Sequence, residues 1–248
     1  MQSPELASLH LSVQYKGIHL GMRNMTLLPN RAAHKLFLIF IALDLIFIGI
    51  HVVLVSIHVD ESSRLFEILY GRLNIASDRA VPEFFNFGKW FLAVVLALVG
   101  FSKTGQKAFL GIGFASVMFL ADDALQVHER VGQVFANIGV SRFFMLDAAS
   151  QGELAGFAFL GVMVAGSMYF AWRVSDGILH GAIKTLIIAI FGMILCGVVF
   201  DLVHNLVEGT FGKGLLSNVT GVLEDGGEML FISLYAATVY SAVNSRVR

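Results

Sequence analysis

Six long apolar stretches leave this chain few ways to fold. They run at Leu36–Val59, Phe84–Ser102, Ala108–His128, Leu154–Val174, Thr185–Val207 and Val222–Val243. Each approaches or exceeds the roughly 20 residues that a helix needs to cross about 30 Å of hydrocarbon. Inside a bilayer every backbone N–H and C=O must be satisfied within the structure, so only helices and closed barrels span it. A barrel would show short alternating segments instead of continuous apolar runs. With 56% hydrophobic and 14% charged residues, the composition is also far from that of a water-soluble domain. The expected fold is all-α: a polytopic membrane helical bundle of six transmembrane helices, multi-pass in the inner (cytoplasmic) membrane.

The basic residues orient that bundle. The N-terminal segment (Lys16, Arg23, Arg31, Lys35), the turn at Lys103–Lys107, the stretch Arg173–Lys184 and the tail with Arg246 and Arg248 fall on one side. They hold ten of the seventeen Lys and Arg residues. The positive-inside tendency makes that side cytoplasmic, so both termini are expected inside. Residues 1–35 lack a compact apolar core with a cleavage site and read as a retained cytoplasmic segment. Residues 36–243 form the membrane domain and 244–248 a cytoplasmic tail. Two outer segments, at about 60–83 and 130–150, mix Leu, Ile, Val and Phe with charges and suit interfacial positions. Trp90 and Trp172 are expected near span ends, and the small residues from Ala155 to Gly166 to let helices approach closely. Cys196 is alone, which excludes an intramolecular disulfide framework or a CxxC metal site. A net charge of −1 without a basic tract gives no reason to expect nucleic acid.

Acids and histidines collect at the opposite, extracytoplasmic ends of three spans. Asp201, His204 and Glu208 fall within a narrow arc at about 100° per residue. Asp122, Gln126 and Glu129 cover a similar arc on the third span, and His128 points well away from Asp122. Glu224 and Glu228 lie a turn apart, while Asp123 and Asp225 leave these stripes. Acids near a helix C-terminus oppose its dipole, so Asp122 and Asp201 call for a bound cation or proton. Acids opening a helix complement the dipole, and this simpler account covers Glu224, Asp225 and Glu228.

Asp201-x-x-His204 has the carboxylate–imidazole spacing of helical-bundle metal sites. A divalent transition metal (iron, manganese, zinc or copper) is the leading expectation, supporting redox chemistry or metal-activated hydrolysis. Its first-choice ligands are Asp201, His204, Glu129 and Glu228, followed by His128, Asp122 and Glu224. Asp123, Glu208 and Asp225 would orient them. A single Asp-x-x-His is fewer than a two-metal carboxylate bundle carries. A b-type haem between His128 and His204 is a further option.

A second reading starts from the first span, where Asp44, His51 and His58 share a face at seven-residue intervals. Asp44 is the most deeply placed acid, costing about 3 kcal/mol at a helix centre unless neutral, paired or hydrated. Such a ladder suits a proton-coupled transporter or ion-conducting protein. A third reading is an accessory subunit docking a membrane-protein partner or a second copy of itself.

At Leu120-Ala-Asp122-Asp123-Ala-Leu-Gln-Val-His128-Glu129 and Leu223-Glu224-Asp225-Gly-Gly-Glu228-Met229 the chain resembles a group of uncharacterised bacterial polytopic membrane proteins. That group is similar in pairing acids before a His-Glu at one span end, and in opening the last span with an acidic pair and a further Glu. The resemblance implies that Asp122, Asp123, His128, Glu129, Glu224, Asp225 and Glu228 act together, and implies no reaction. The chain lacks His-x-x-x-His, His-Glu-x-x-His, Walker and Gly-x-Ser-x-Gly motifs.

Overall fold

The computed structural model describes residues 30–56, 64–141, 147–212 and 214–247. Within these the chain is helical: α1 (Arg31–Ser56), α2 (Arg64–Leu73), α3 (Val81–Thr104), α4 (Ala108–Leu125), α5 (Val127–Asn137), α6 (Ala148–Val174), α7 (Gly177–Ile194), α8 (Asp201–Phe211), α9 (Leu215–Gly221) and α10 (Gly227–Val247). Two π-helical turns interrupt long helices, Leu195–Phe200 between α7 and α8 and Val222–Gly226 between α9 and α10. Among the described residues five helices are long and apolar enough to cross a membrane: Arg31–Ser56, Val81–Thr104, Ala108–Leu125, Ala148–Val174 and Leu179–Phe211.

α10, central in the bundle, falls outside that set because its Ser, Thr, Tyr and Asn residues make it less apolar. It packs against α1, α3 and α7, and its Ser233, Thr238 and Ser241 are buried. Their neighbours are protein, so hydroxyls are tolerated where they find acceptors. Thr238 donates to the Leu234 carbonyl at 2.7 Å and Ser233 to Asp44 at 2.5 Å. The core lies between α10 and its neighbours. Trp90 stacks on Phe119 with centroids 4.7 Å apart, and Tyr235 meets Trp90 edge-on at 5.0 Å. The Tyr235 hydroxyl lies 3.1 Å from Ser116 Oγ. Outward faces of α1, α3, α6 and α7 expose Ile39, Phe91, Val162 and Phe191, as lipid-facing surfaces do.

A buried ion pair joins the first span to the second. Lys89 Nζ, 1% exposed, lies 2.9 Å from Asp44 Oδ1, and it donates to the Met229 carbonyl and to Ser233. Asp44 is therefore paired, and the pair ties α1, α3 and α10 together. His51 Nδ1 lies 2.6 Å from Asn74 Oδ1, so the two histidine-ladder positions described here have separate partners. His58 lies outside the described residues, as do residues 1–29, 57–63 and 142–146.

Three expectations are corrected here. Trp90 is not at a span end but 1% exposed in the core, where its indole N–H donates to Asp123 at 2.8 Å. The third span is not one helix to His128: it stops at Leu125, and Gln126 takes a left-handed conformation (φ 50°) before α5 starts. The small residues of α6 divide into two groups. Gly152 and Gly156 press against α5, but nothing lies within 4 Å of a Cβ built on Gly161 or Gly166.

Candidate functional site

The break at Gln126 builds one wall of the site. A continuous helix would carry His128 away from Asp122, but the left-handed residue reverses the path. The Asp122 carboxylate then accepts the His128 backbone N–H at 3.1 Å and lies 3.0 Å from His128 Nδ1. α5 can return along α6 because Gly156 leaves room: a Cβ there would stand 2.8 Å from His128 Cα. The imidazole stacks on Phe157 at 4.2 Å between centroids. Burial disfavours its charged form, but the hydrogen bond and charge of Asp122, with Glu129 and Glu153 nearby, outweigh this and raise its pKa above the ordinary 6.5.

The opposite wall is made by the two π turns, which face each other. A π turn inserts a residue into the helical register and is frequent at functional sites. Glycines on each strand of this helix pair accept side chains from the other. Glu228 lies over Gly197, Cys196 over Gly227, and His204 over Gly221. His204 consequently sits between two carboxylates. Its Nε2 is 3.2 Å from Glu208 Oε2, and its Nδ1 is 3.1 Å from Glu224 Oε2, off the hydrogen-bonding line. Ser217 Oγ donates to Glu208 at 3.3 Å and adjoins His204 Nε2 at 3.4 Å. Asn205 donates to Asp201 at 2.9 Å.

Between the walls lies a cavity of about 1070 Å³. Among the described residues ten carboxylates line it: Asp78, Glu83, Asp122, Asp123, Glu129, Glu153, Asp201, Glu224, Asp225 and Glu228. Among the described residues His128 is the one histidine in the lining, and no described Lys or Arg stands in it. Of the residues singled out from sequence, Asp122, Asp123, His128, Glu129, Asp201, Glu224, Asp225 and Glu228 surround this one space. His204 and Glu208 stand immediately behind Glu224. Asp44 and His51 are not in its lining.

Sequence reasoning passed over four charged residues here. Glu83, Glu153 and Asp78 complete the acidic ring, and Lys89 lies just below it. Glu153 had a signal, as the acid nearest the start of the fourth apolar stretch. Lys89 had a stronger one: a cation inside an apolar span, which the buried Asp44 needs as a partner. Among the described residues no three His, Cys, Asp or Glu side chains stand in ligating geometry as they lie. Several instead engage imidazole, indole and amide groups of the protein.

Fold and site define the class: a protein whose described residues are helical, with five membrane-length helices among them and an acid-lined internal cavity. The chain belongs to the family described as Domain of unknown function (DUF8692), whose sequence model matches residues 36–242. No curated protein and no solved structure matches it.

Proposed function

We propose that the acidic chamber binds a divalent transition metal (iron, manganese, zinc or copper) and uses it in redox or hydrolytic chemistry. The supporting observation is the lining itself, to which the described residues bring ten carboxylates and an imidazole but no Lys or Arg. So many acids in one low-dielectric space repel one another unless protons or cations neutralise them. Carboxylate and imidazole are donors suited to these metals. Asp201 and Glu224 on the chamber wall, with His204 directly behind Glu224, would supply the inner set. Donors about 2 Å from a common ion stand about 3 Å apart, and His204 Nδ1 and Glu224 Oε2 are 3.1 Å apart. Glu208 and Ser217 hold the other ring nitrogen, the orienting role that carboxylates play behind metal-bound imidazoles. Glu129, Glu228, Asp122 and His128 remain on the same cavity to complete the shell or to move protons. When bound, the metal supplies Lewis acidity or redox capacity. A haem between His128 and His204 would have to displace the carboxylates from both rings.

In this reading the chain crosses the inner membrane six times, α10 with its preceding π turn being the sixth crossing. Both termini are cytoplasmic and the chamber opens outward. The turn at Gln106, the α6–α7 turn and the end of α10 meet at one end of the bundle, where Asp176 engages Gln106 and Arg246. This agrees with the side assigned from the basic residues.

Elemental analysis of detergent-purified protein beside an Asp201→Ala/His204→Ala variant tests the proposal. Near-stoichiometric metal, lost in the variant, is the expected result. Metal-free protein from a chelator-free preparation would overturn it, and attention would pass to transport through Asp44, His51 and His58 or to an accessory role.

A further inference from the structure

The cavity does not end below its acids. It continues as an apolar slot between α6 and α7, bounded by Gly161, Ala165 and Met168 on one side and Ile187, Ile190 and Phe191 on the other. These helices are joined by a short turn and are neighbours in sequence, yet they hardly touch. From Glu153 at the acidic end to Trp172 at the other, the lining follows about 28 Å of α6 at 1.5 Å per residue. Small residues on a membrane helix ordinarily admit another helix. Here Gly161 faces open space, with nothing within 4 Å of where its Cβ would be. An apolar slot of that length, open at its side where Tyr169 and Phe191 are exposed and leading into the acids at one end, has the dimensions of an extended lipid chain.

The chemistry of the acidic end selects the head group. The ten carboxylates that the described residues bring to this end, with no Lys or Arg among those residues, repel a phosphate or carboxylate and attract a cation or a hydrogen-bond donor. We propose that the slot and chamber together bind a lipid amine, its long apolar chain lying between α6 and α7 and its cationic amino head held among the carboxylates. Asn86, on the cavity wall with an otherwise unpartnered side-chain oxygen, is a further acceptor for that head. The inference names the substrate class of the chamber and rests on its reading as the functional site. The carboxylates are numerous enough to hold both the head and a metal.

The test uses the full chain in lipid nanodiscs with a spin-labelled long-chain alkylamine, and the matching fatty acid as the control for bulk bilayer solvation. The amine should bind at least about tenfold more tightly than the acid. Gly161→Trp should fill the slot and lower amine affinity about tenfold, with melting temperature and metal content unchanged. Ala165→Trp should do the same from the next turn. Equal binding of amine and acid, or amine binding indifferent to both Trp variants, would overturn the proposal. Metal content measured on the same samples separates the two readings. Amine selectivity in metal-free protein supports the lipid and removes the metal, and metal without amine selectivity does the reverse.

Discussion

Lys89 and Gly197 show how single residues govern this bundle. With Lys89 1% exposed and Asp44 fully buried, their pair is out of reach of water. Removing one partner of a buried ion pair costs about 3–5 kcal/mol, because a charge is left uncompensated. Lys89→Met is expected to destabilise by that amount, and Asp44→Asn/Lys89→Met to recover most of it, measured by thermal unfolding in detergent. A single variant as stable as the parent would show that Asp44 needs no counter-charge. Gly197 is constrained by volume instead, since the Glu228 carboxylate occupies the place of a Cβ. Gly197→Ala should cost about 1–3 kcal/mol by overpacking. In a double-mutant cycle with Glu228→Ala most of that cost should vanish, whereas full additivity would mean that the two do not touch. Glu228 was legible as an acid at a helix start, but not as a side chain lying on another helix's glycine, because that contact joins residues far apart in sequence.

At the scale of elements, the consequential departures are a break and two π turns. Periodicity at about 100° per residue holds only while the helix is continuous. Gln126 leaves the helical region, so everything after it changes face, and His128 joins Asp122 in place of leaving it. A left-handed residue is easily predicted where the sequence has Gly, and Gln gives no such signal. The π turns are equally silent in sequence, yet they set where Glu224 and Asp201 emerge. The small residues of α6 illustrate the same limit: composition does not say which glycine has a neighbour. Gly156→Ala is expected to destabilise by about 1–3 kcal/mol through collision with His128. Gly166→Ala, facing open space, should be neutral or stabilise by up to about 1 kcal/mol through helix propensity. Equal melting temperatures for the two variants would mean that α5 does not pack on α6 as described.

For the whole molecule, the testable quantities are orientation and linkage to a ligand. In a Cys196→Ala background, Ser102→Cys should react with a membrane-impermeant maleimide only after permeabilisation, and Asn137→Cys should react in intact cells. The opposite pattern would invert the orientation. Returning the correct metal to chelator-stripped protein should stabilise it by about 2.7 kcal/mol at a concentration one hundred times the dissociation constant. The Asp201→Ala/His204→Ala variant should show no such gain. Unchanged unfolding of the parent protein on metal addition would count against a site in the folded chamber.

By itself the sequence determined the helical class and the membrane-length helices, since apolar length and backbone satisfaction are local properties that one segment meets alone. It also marked most of the acids and both histidines at the helix ends, because charge in an apolar run is conspicuous at any distance. Only the tertiary structure decided which of them share a cavity, that Lys89 answers Asp44, and that α6 and α7 stand apart to leave a slot. Those facts depend on helix order, on a left-handed residue and two π turns, and on glycines matched to side chains of other helices. Each is a relation between distant segments, set by packing rather than by the residues of any one of them.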